Sequence, residues 1–268
     1  MARRVALVLV TLVLMAAGVV AIHERSRWLG RVLPPLWSTQ DVVPASASNG
    51  GAPNWVAVVD AVRGAVVHVQ VDRVPRDDAR AHGSGFVVNP AGYIVTTARV
   101  VEGADHVWVG LVDGRRLPGT VIGRDARVGV ALLKVDAENL PLIPLAEPST
   151  VRVGESVLAV GNPARGAQFV TAGIVSAFQP DGGDRVIRTT APIEPGTSGG
   201  PVVDPRGHAI GMTVDRSEAR AAIGGASAIP IGSVQTVLQR LAPPPSSTLA
   251  DTLGRRLHQV GEPRVLRP

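Results

Sequence analysis

Short apolar runs rich in Val, Ile and Thr alternate with turn-forming residues along most of this chain. Between residues 83 and 230, "SGFVV" and "YIVTT" flank "NPAG", and "HVWVGLV" and "RRLPGTVIG" flank "DG". "VALLKV", "SVLAVG", "QFVTAGIVSAF", "RVIRTT", "PVVD", "HAIGMTV" and "ASAIPI" follow in turn. Strand-like runs at such close spacing, with few long helical patterns among them, predict an all-β barrel or sandwich. Ahead of them, "NWVAVVDAVRG" has helical spacing and "AVVHVQVDR" alternates like a strand. Behind them, "GSVQTVLQRL" predicts a short closing helix stopped by "APPPSS", and the tail that follows is too short for another domain. No internal repeat of about 20–50 residues is present.

The N-terminus follows a different pattern. Residues 5–22, "VALVLVTLVLMAAGVVAI", carry no charge, and eighteen such residues nearly cross a hydrocarbon core, which takes about 20. A cleavable export signal has a shorter apolar stretch of about 7–15 residues, although Ala21 with Val19 before it also fits a cleavage site. The length favours an uncleaved transmembrane anchor over a removed signal sequence in residues 1–22. Arg3 and Arg4 favour a cytoplasmic N-terminus, while Arg25, Arg27 and Arg31 on the far flank oppose it. Either way, the body of the chain is expected outside the cytoplasm, periplasmic or extracellular. The Pro-, Ser-, Gly- and Ala-rich stretch 23–54 reads as a linker.

A chain of 268 residues that is 45% hydrophobic can bury one or two cores. Cysteine is absent, which excludes disulfides, a thiol nucleophile, haem attachment and thiolate metal sites. The histidines are dispersed, with no pair at i, i+4, so no metal and no other cofactor is expected. The net charge of +5 is modest, the arginines are scattered and aromatics make up 3%, which argues against a nucleic-acid partner.

The chemistry gathers at "PGTSGGPVV", residues 195–203. Between two strand-like runs, this stretch sets Ser198 on a tight loop where the N–H groups of Gly196 and Ser198 can converge on one oxygen, as in an oxyanion hole. The same residues also suit an ordinary glycine-rich turn. A serine hydroxyl needs a base before it attacks a carbonyl.

Taken together, "GSGFVVNPAGYIVTTARVVEGAD", "VIGRDARVGVALLKVD", "VRVGESVLAVGNP", "VTAGIVSAF", "PIEPGTSGGPVVD" and "ASAIPI" resemble, in order and spacing, the HtrA (Deg) family of trypsin-like serine proteases. The resemblance covers residues 55–241. It implies two perpendicular six-stranded β-barrels with a cleft between them, and Ser198 at the nucleophile position. Residues 242–268 then form a Pro-rich linker and short tail. The 27 residues after Leu241 are too few for the PDZ domain that the family usually carries.

Two departures from the family pattern bear on the chemistry. Where the family has histidine before the paired valines, this chain has Arg99; where it has aspartate before "VALLKV", this chain has Gly129. A guanidinium keeps its proton in proteins and cannot accept one from a serine, and glycine has no side chain to orient an imidazole. The specificity wall departs as well, with Ala226 and Ser227 where Gly-Phe is usual. As substitute bases, His68, His82, His106 and His208 are better read as solvated or structurally satisfied histidines. Asp125 and Asp136 fit strand-end turns, and a dyad with Lys134, the one lysine, has no precedent in the pattern.

These observations favour a membrane-anchored pseudoprotease that keeps its oxyanion loop and binds peptides or unfolded segments by strand addition along an exposed edge. The alternative is an active envelope endopeptidase using another base. An interaction module that forms homo- or hetero-oligomers with HtrA-like proteins is a third reading. Arg99 is expected either to attract an anion to the oxyanion loop or, somewhat more favoured, to pair with Glu194.

Overall fold

The alternating runs become twelve strands among the described residues of a computed structural model, which are 36–40, 52–72, 82–164, 167–181, 184–214 and 226–242. The first barrel contains β1 (Val66–Asp72), β2 (His82–Asn89), β3 (Tyr93–Thr97), β4 (His106–Gly110), β5 (Arg116–Asp125) and β6 (Val130–Val135). It closes in the order β1-β2-β3-β6-β5-β4. The second contains β7 (Ser156–Ala164), β8 (Ala167–Asp181), β9 (Asp184–Thr189), β10 (Pro201–Val203), β11 (Ala209–Val214) and β12 (Ala226–Pro230), closed as β10-β11-β12-β9-β8-β7. The segment "AVVHVQVDR" thus opens the first barrel as β1, and His82 is the first residue of β2 rather than a residue ahead of the barrel.

Closure explains the hydrophobic pattern. A strand covered on both faces reads as a nearly continuous apolar run, and "VALLKV" of β6 is buried at every position but Lys134. By contrast, β5 has one face in solvent and alternates between exposed and half-buried positions over most of its length. The barrels close, but β8 pairs with β9 only from Val175 onward, so residues 168–173 have β7 on one side and no paired strand on the other among the described residues, and this edge remains for the strand addition expected above.

Two helices complete the body. The first, α1 (Trp55–Val62), starts where the Asn54 side chain accepts the Ala57 N–H at 3.2 Å, and it buries Val58 and Val62. The second, α2 (Ile231–Leu241), is the expected closing helix. It begins directly after Pro230 and buries Ile231, Val234, Val237 and Leu238, an apolar stripe at helical spacing. Residues 36–242 form one compact unit, whose apolar core runs through both barrels and both helices. Residues 1–35, which hold the expected anchor, and those after 242 lie outside the described set. No helix among the described residues is long and apolar enough to cross a membrane.

Candidate active site

Ser198 sits on the loop between β9 and β10, and glycine and proline decide its shape. Thr197 N–H donates to the Glu194 carbonyl at 3.1 Å, with Pro195 and then Gly196 in between. Gly196 has φ +83°. Proline followed by a positive-φ glycine is the type II turn, which L side chains at the third position resist. Past the serine, Gly199 N–H donates to Thr213 O at 2.8 Å and Gly200 N–H to Thr197 O at 2.9 Å. The Gly196 N–H has no acceptor among the described residues, which is what an oxyanion donor requires.

The loop is fixed from the other barrel by a residue to which sequence reasoning gave no role. Ser84 of β2 is fully buried. Its hydroxyl donates to Gly196 O at 2.9 Å and accepts the Asn162 N–H at 2.8 Å. Its own N–H donates to Ser198 O at 2.8 Å, and the Thr96 hydroxyl donates to its carbonyl at 2.7 Å. Ser84 therefore positions both ends of the turn that carries Ser198. Close approach of β2 also explains a glycine beyond the serine: a Cβ on Gly199 would stand 2.2 Å from Ser84 O.

The structure brings Ser198, Arg99 and Gly129 to one cleft of about 280 Å³, whose wall also holds Thr97, Glu102 and Arg124. Arg99 lies in the turn after β3 and is exposed, while Ser198 is 3% exposed. The Ala98 N–H donates to the Gly129 carbonyl at 2.9 Å, so residues 99 and 129 leave adjacent stretches of backbone. Gly129 has φ +87°, and a Cβ there would meet only the Ile229 Cδ1 methyl, at 3.3 Å. The position is roomy on the cleft side but left-handed in backbone. The turn before it is held by Asp125, whose carboxylate accepts the Val128 N–H at 2.9 Å and bonds Arg240 of α2. The Val128 N–H and then the Arg240 guanidinium hold this carboxyl below its ordinary 3.8, against the opposing pull of partial burial.

Within the cleft wall, Arg124 donates to Glu102 at 2.9 Å. The Thr97 side chain is 3% exposed, and its hydroxyl has no partner among the described residues. Neither Arg124 nor Thr97 was singled out from sequence. The "VTTAR" stretch names Thr97, but only the pairing of β3 with β6 reveals that it faces this chemistry.

Glu194 does not join this cleft. It lines a separate small depression with Phe169, Thr171 and Thr213, so the favoured pairing with Arg99 is corrected. The cause is the type II turn, which reverses the chain between Glu194 and Ser198 and uses the Glu194 carbonyl to close itself.

At the expected specificity wall, Ala226 and Ser227 open β12, paired with Thr189 and Arg188 of β9. The Arg188 guanidinium donates to Ser227 Oγ at 2.7 Å, a contact between residues far apart in sequence. The other polar residues considered above line neither the cleft nor each other's sites. Lys134 donates to Val135 O at 2.6 Å and lies over the Tyr93 ring. His208 lies 4.0 Å from Asp204, His106 is exposed at the start of β4, and Asp136 is exposed just past β6. His68 Nδ1 is 3.0 Å from Asn162 O. His82 is the exception: its ring lies 6.2 Å from that of His68 and against Gly196, where an added Cβ would be 3.2 Å from Nε2. No group of side chains suited to a metal ion exists among the described residues.

Comparison with known proteins gives a consistent picture. The sequence profile of the Trypsin-like peptidase domain matches residues 83–212. The serine protease HhoB of Synechocystis sp. is 41% identical over 178 residues, covering 62% of this chain and 42% of that protein. A DegP-like periplasmic serine endoprotease of Halomonas elongata is 43% identical over 140 residues, 51% of this chain and 30% of that one. Among solved structures, the HtrA-type protease AlgW with a tripeptide superposes with a TM-score of 0.63 at 32% identity, covering 70% of this chain and 63% of AlgW. AlgW with a decapeptide gives 0.61 at 30%, covering 70% and 67%. This chain therefore spans less than half the length of the two curated relatives.

Proposed function

The chain belongs to the HtrA family of trypsin-like serine proteases, and from that premise we propose that it is a pseudoprotease, a member whose cleft holds peptide without cutting it. One observation carries the reading. In the wall beside Ser198, the side chains at 99 and 129 are a guanidinium and nothing, where proton transfer would require an imidazole and a carboxylate. Nucleophilic attack by Ser198 needs an acceptor for its proton as the C–O bond forms, and no group lining the cleft is a histidine. The Gly196 N–H, fixed by Ser84, remains able to hold a carbonyl or carboxylate oxygen.

In this reading Ser198 stands at the nucleophile position without being activated, Gly196 and Ser198 supply the oxyanion donors, and Ala226 and Ser227 shape the neighbouring pocket. Relatives solved with a tripeptide and a decapeptide support a peptide ligand, and relatives described as periplasmic support an extracytoplasmic body. Residues 5–22 would tether that body to the membrane through the 23–54 linker. The test is hydrolysis of an unfolded protein substrate by the full chain and by Ser198→Ala. Equal rates are expected, because residual catalysis from the oxyanion donors alone is at most about 10³–10⁴ over water. A Ser198-dependent rate in the ordinary protease range overturns the proposal.

The position of His82 against Gly196 favours one second reading, in which that imidazole reaches Ser198 in a rearranged loop and serves as base. His82→Ala separates the two: it abolishes Ser198-dependent hydrolysis in the second reading and changes nothing in the first.

A further inference from the structure

We propose that the open edge of β8 is a second peptide site, separate from the Ser198 cleft. Its occupant is an extended segment of a partner protein in which basic and β-branched apolar residues alternate. The site stands whether or not the Ser198 cleft itself holds peptide.

The edge exists because β9 leaves the ladder early. Val175 turns its backbone groups toward the β7 side, where its N–H donates to Glu155 O at 2.9 Å and its carbonyl accepts the Gly154 N–H at 2.8 Å. Ile174 turns its own to the opposite side, and Thr190 takes both: Ile174 N–H donates to Thr190 Oγ1 at 2.9 Å, and Ile174 O accepts the Thr190 N–H at 3.1 Å. Directions alternate along a strand, so Ala172 and Val170 face the same open side as Ile174. Their N–H and C=O groups have no partner there among the described residues. After Thr190 the chain dips beneath β8 instead of continuing beside it. A Cβ on Gly173 would stand 2.2 Å from Ala191 N, and the Thr171 hydroxyl donates to Pro192 O at 2.6 Å.

Nothing in the sequence blunts this edge. Residues 168–177 contain no charged residue and no proline, the devices with which native proteins shield edge strands. Phe169, Val170 and Ile174 are 46%, 38% and 41% exposed. An antiparallel segment fits in the place that β9 would fill if it ran on.

Side chains select the occupant. Residues opposite each other on neighbouring strands point to the same face. A partner residue opposite Val170 or Ala172 joins the outer apolar face with Ile174, where a β-branched side chain packs. One opposite Phe169 or Thr171 lies over the shallow depression that these two line with Pro192 and Glu194. Glu194 is exposed and is the ionisable residue among those lining the depression. Its carboxylate is in no ion pair among the described residues. A lysine or arginine there lays its stem on Phe169 and Pro192 and brings its charge to this carboxylate. The basic neighbour of the edge, Arg63, whose carbonyl accepts the Gln168 amide at 2.6 Å, is already balanced by Asp60 at 3.8 Å. Backbone bonds supply the affinity of such strand addition, and the alternate side chains its specificity.

The test titrates the full chain in detergent micelles into fluorescein-labelled Gly-Val-Lys-Val-Lys-Val amide, read by fluorescence anisotropy near neutral pH. Saturable binding is expected. Val170→Pro should abolish it and leave thermal melting near that of the parent, because the lost N–H has no partner and proline is tolerated at such an edge position. Methylating the valine nitrogens of the peptide should weaken binding at least about tenfold, since those amides face β8, while methylating the lysine nitrogens should not. Replacing both lysines by glutamate, or Glu194 by Gln in the protein, should weaken binding about two- to fivefold, the scale of an exposed ion pair.

No binding at about 0.1 mM protein overturns the proposal. So does full binding by Val170→Pro, or equal loss from the two methylated peptides; the peptide then lies elsewhere, and the Ser198 cleft keeps its reading. Equal binding of the lysine and glutamate peptides overturns the basic occupant. If the parent sediments as a dimer and Val170→Pro as a monomer, the edge belongs to a second copy and the proposal is wrong.

Discussion

If the proposed pseudoprotease lacks only a base, Arg99→His together with Gly129→Asp should supply one. The structure sets the stability cost. Position 129 has φ +87°, and an L residue in the left-handed region costs about 1–2 kcal/mol, toward the low end for Asp, which visits it more readily than most. The new Cβ stands 3.3 Å from Ile229 Cδ1, a methyl that can yield by a few tenths of an ångström. For a folded unit of this size, each kcal/mol lowers Tm by about 2–4 °C, so the double variant should melt about 2–8 °C below the parent and remain folded. A positioned base contributes about 10²–10⁴ in rate, and loss of the orienting carboxylate from an intact triad costs about 10⁴. Triad members act as a unit. Arg99→His alone should therefore raise casein hydrolysis about 10²-fold, Gly129→Asp alone should do nothing, and the pair should gain about 10⁴ or more. Adding Ser198→Ala must return the rate to baseline. A double variant that keeps its near-UV circular dichroism but shows no Ser198-dependent gain would refute the reasoning, because the cleft would then have lost its catalytic geometry along with its side chains.

Three further expectations concern the frame around the cleft. Ser84→Ala removes one hydroxyl and leaves both Gly196 O and the Asn162 N–H buried without that partner, so it should cost about 2–4 kcal/mol in a urea titration; a loss under about 0.5 kcal/mol would contradict its positioning role. Gly199→Ala, which would bring a Cβ to 2.2 Å from Ser84 O, should yield no folded protein; a normal melting curve would show that the barrels can separate at this point. Asp125→Asn should destabilise by about 1–2 kcal/mol at neutral pH by weakening the bonds to Val128 N–H and Arg240. The folded-state pKa of Asp125 lies below its ordinary 3.8, so its contribution is complete above that value and is lost as pH falls through the lower folded value. Wild type and variant should therefore converge in stability in acid, and a gap that persists there would assign the effect elsewhere.

Much of the architecture could be read along the chain because the barrel strands are local patterns. "VALLKV" became β6 with its bounds intact, and "YIVTT" became β3. What escaped depends on pairings between distant segments. Ser84 falls within a strand-like run but holds Gly196, 112 residues away, and only closure of both barrels brings them together. Thr97, Arg124 and Arg188 gained their meaning in the same way, from β3 against β6, the end of β5, and β9 against β12. The Glu194 expectation failed for the opposite reason. Nearness in sequence suggested nearness to the serine's cleft, but a type II turn closed by the Glu194 carbonyl sends its side chain to another depression. The residue types at 99 and 129 were legible in the sequence. That Gly129 has adopted a backbone unsuited to most side chains was not, since φ is set by the Asp125 turn beneath it.

In the proposed pseudoprotease, Ser198 has no base to activate it. The most direct measurement is labelling of the full chain with a fluorophosphonate, which modifies serine hydroxyls made nucleophilic by a neighbouring base, followed by intact-protein and peptide mass analysis. No adduct is expected on Ser198 in the parent chain, and an adduct is expected there in the Arg99→His, Gly129→Asp variant. An adduct on Ser198 in the parent chain would contradict the proposal.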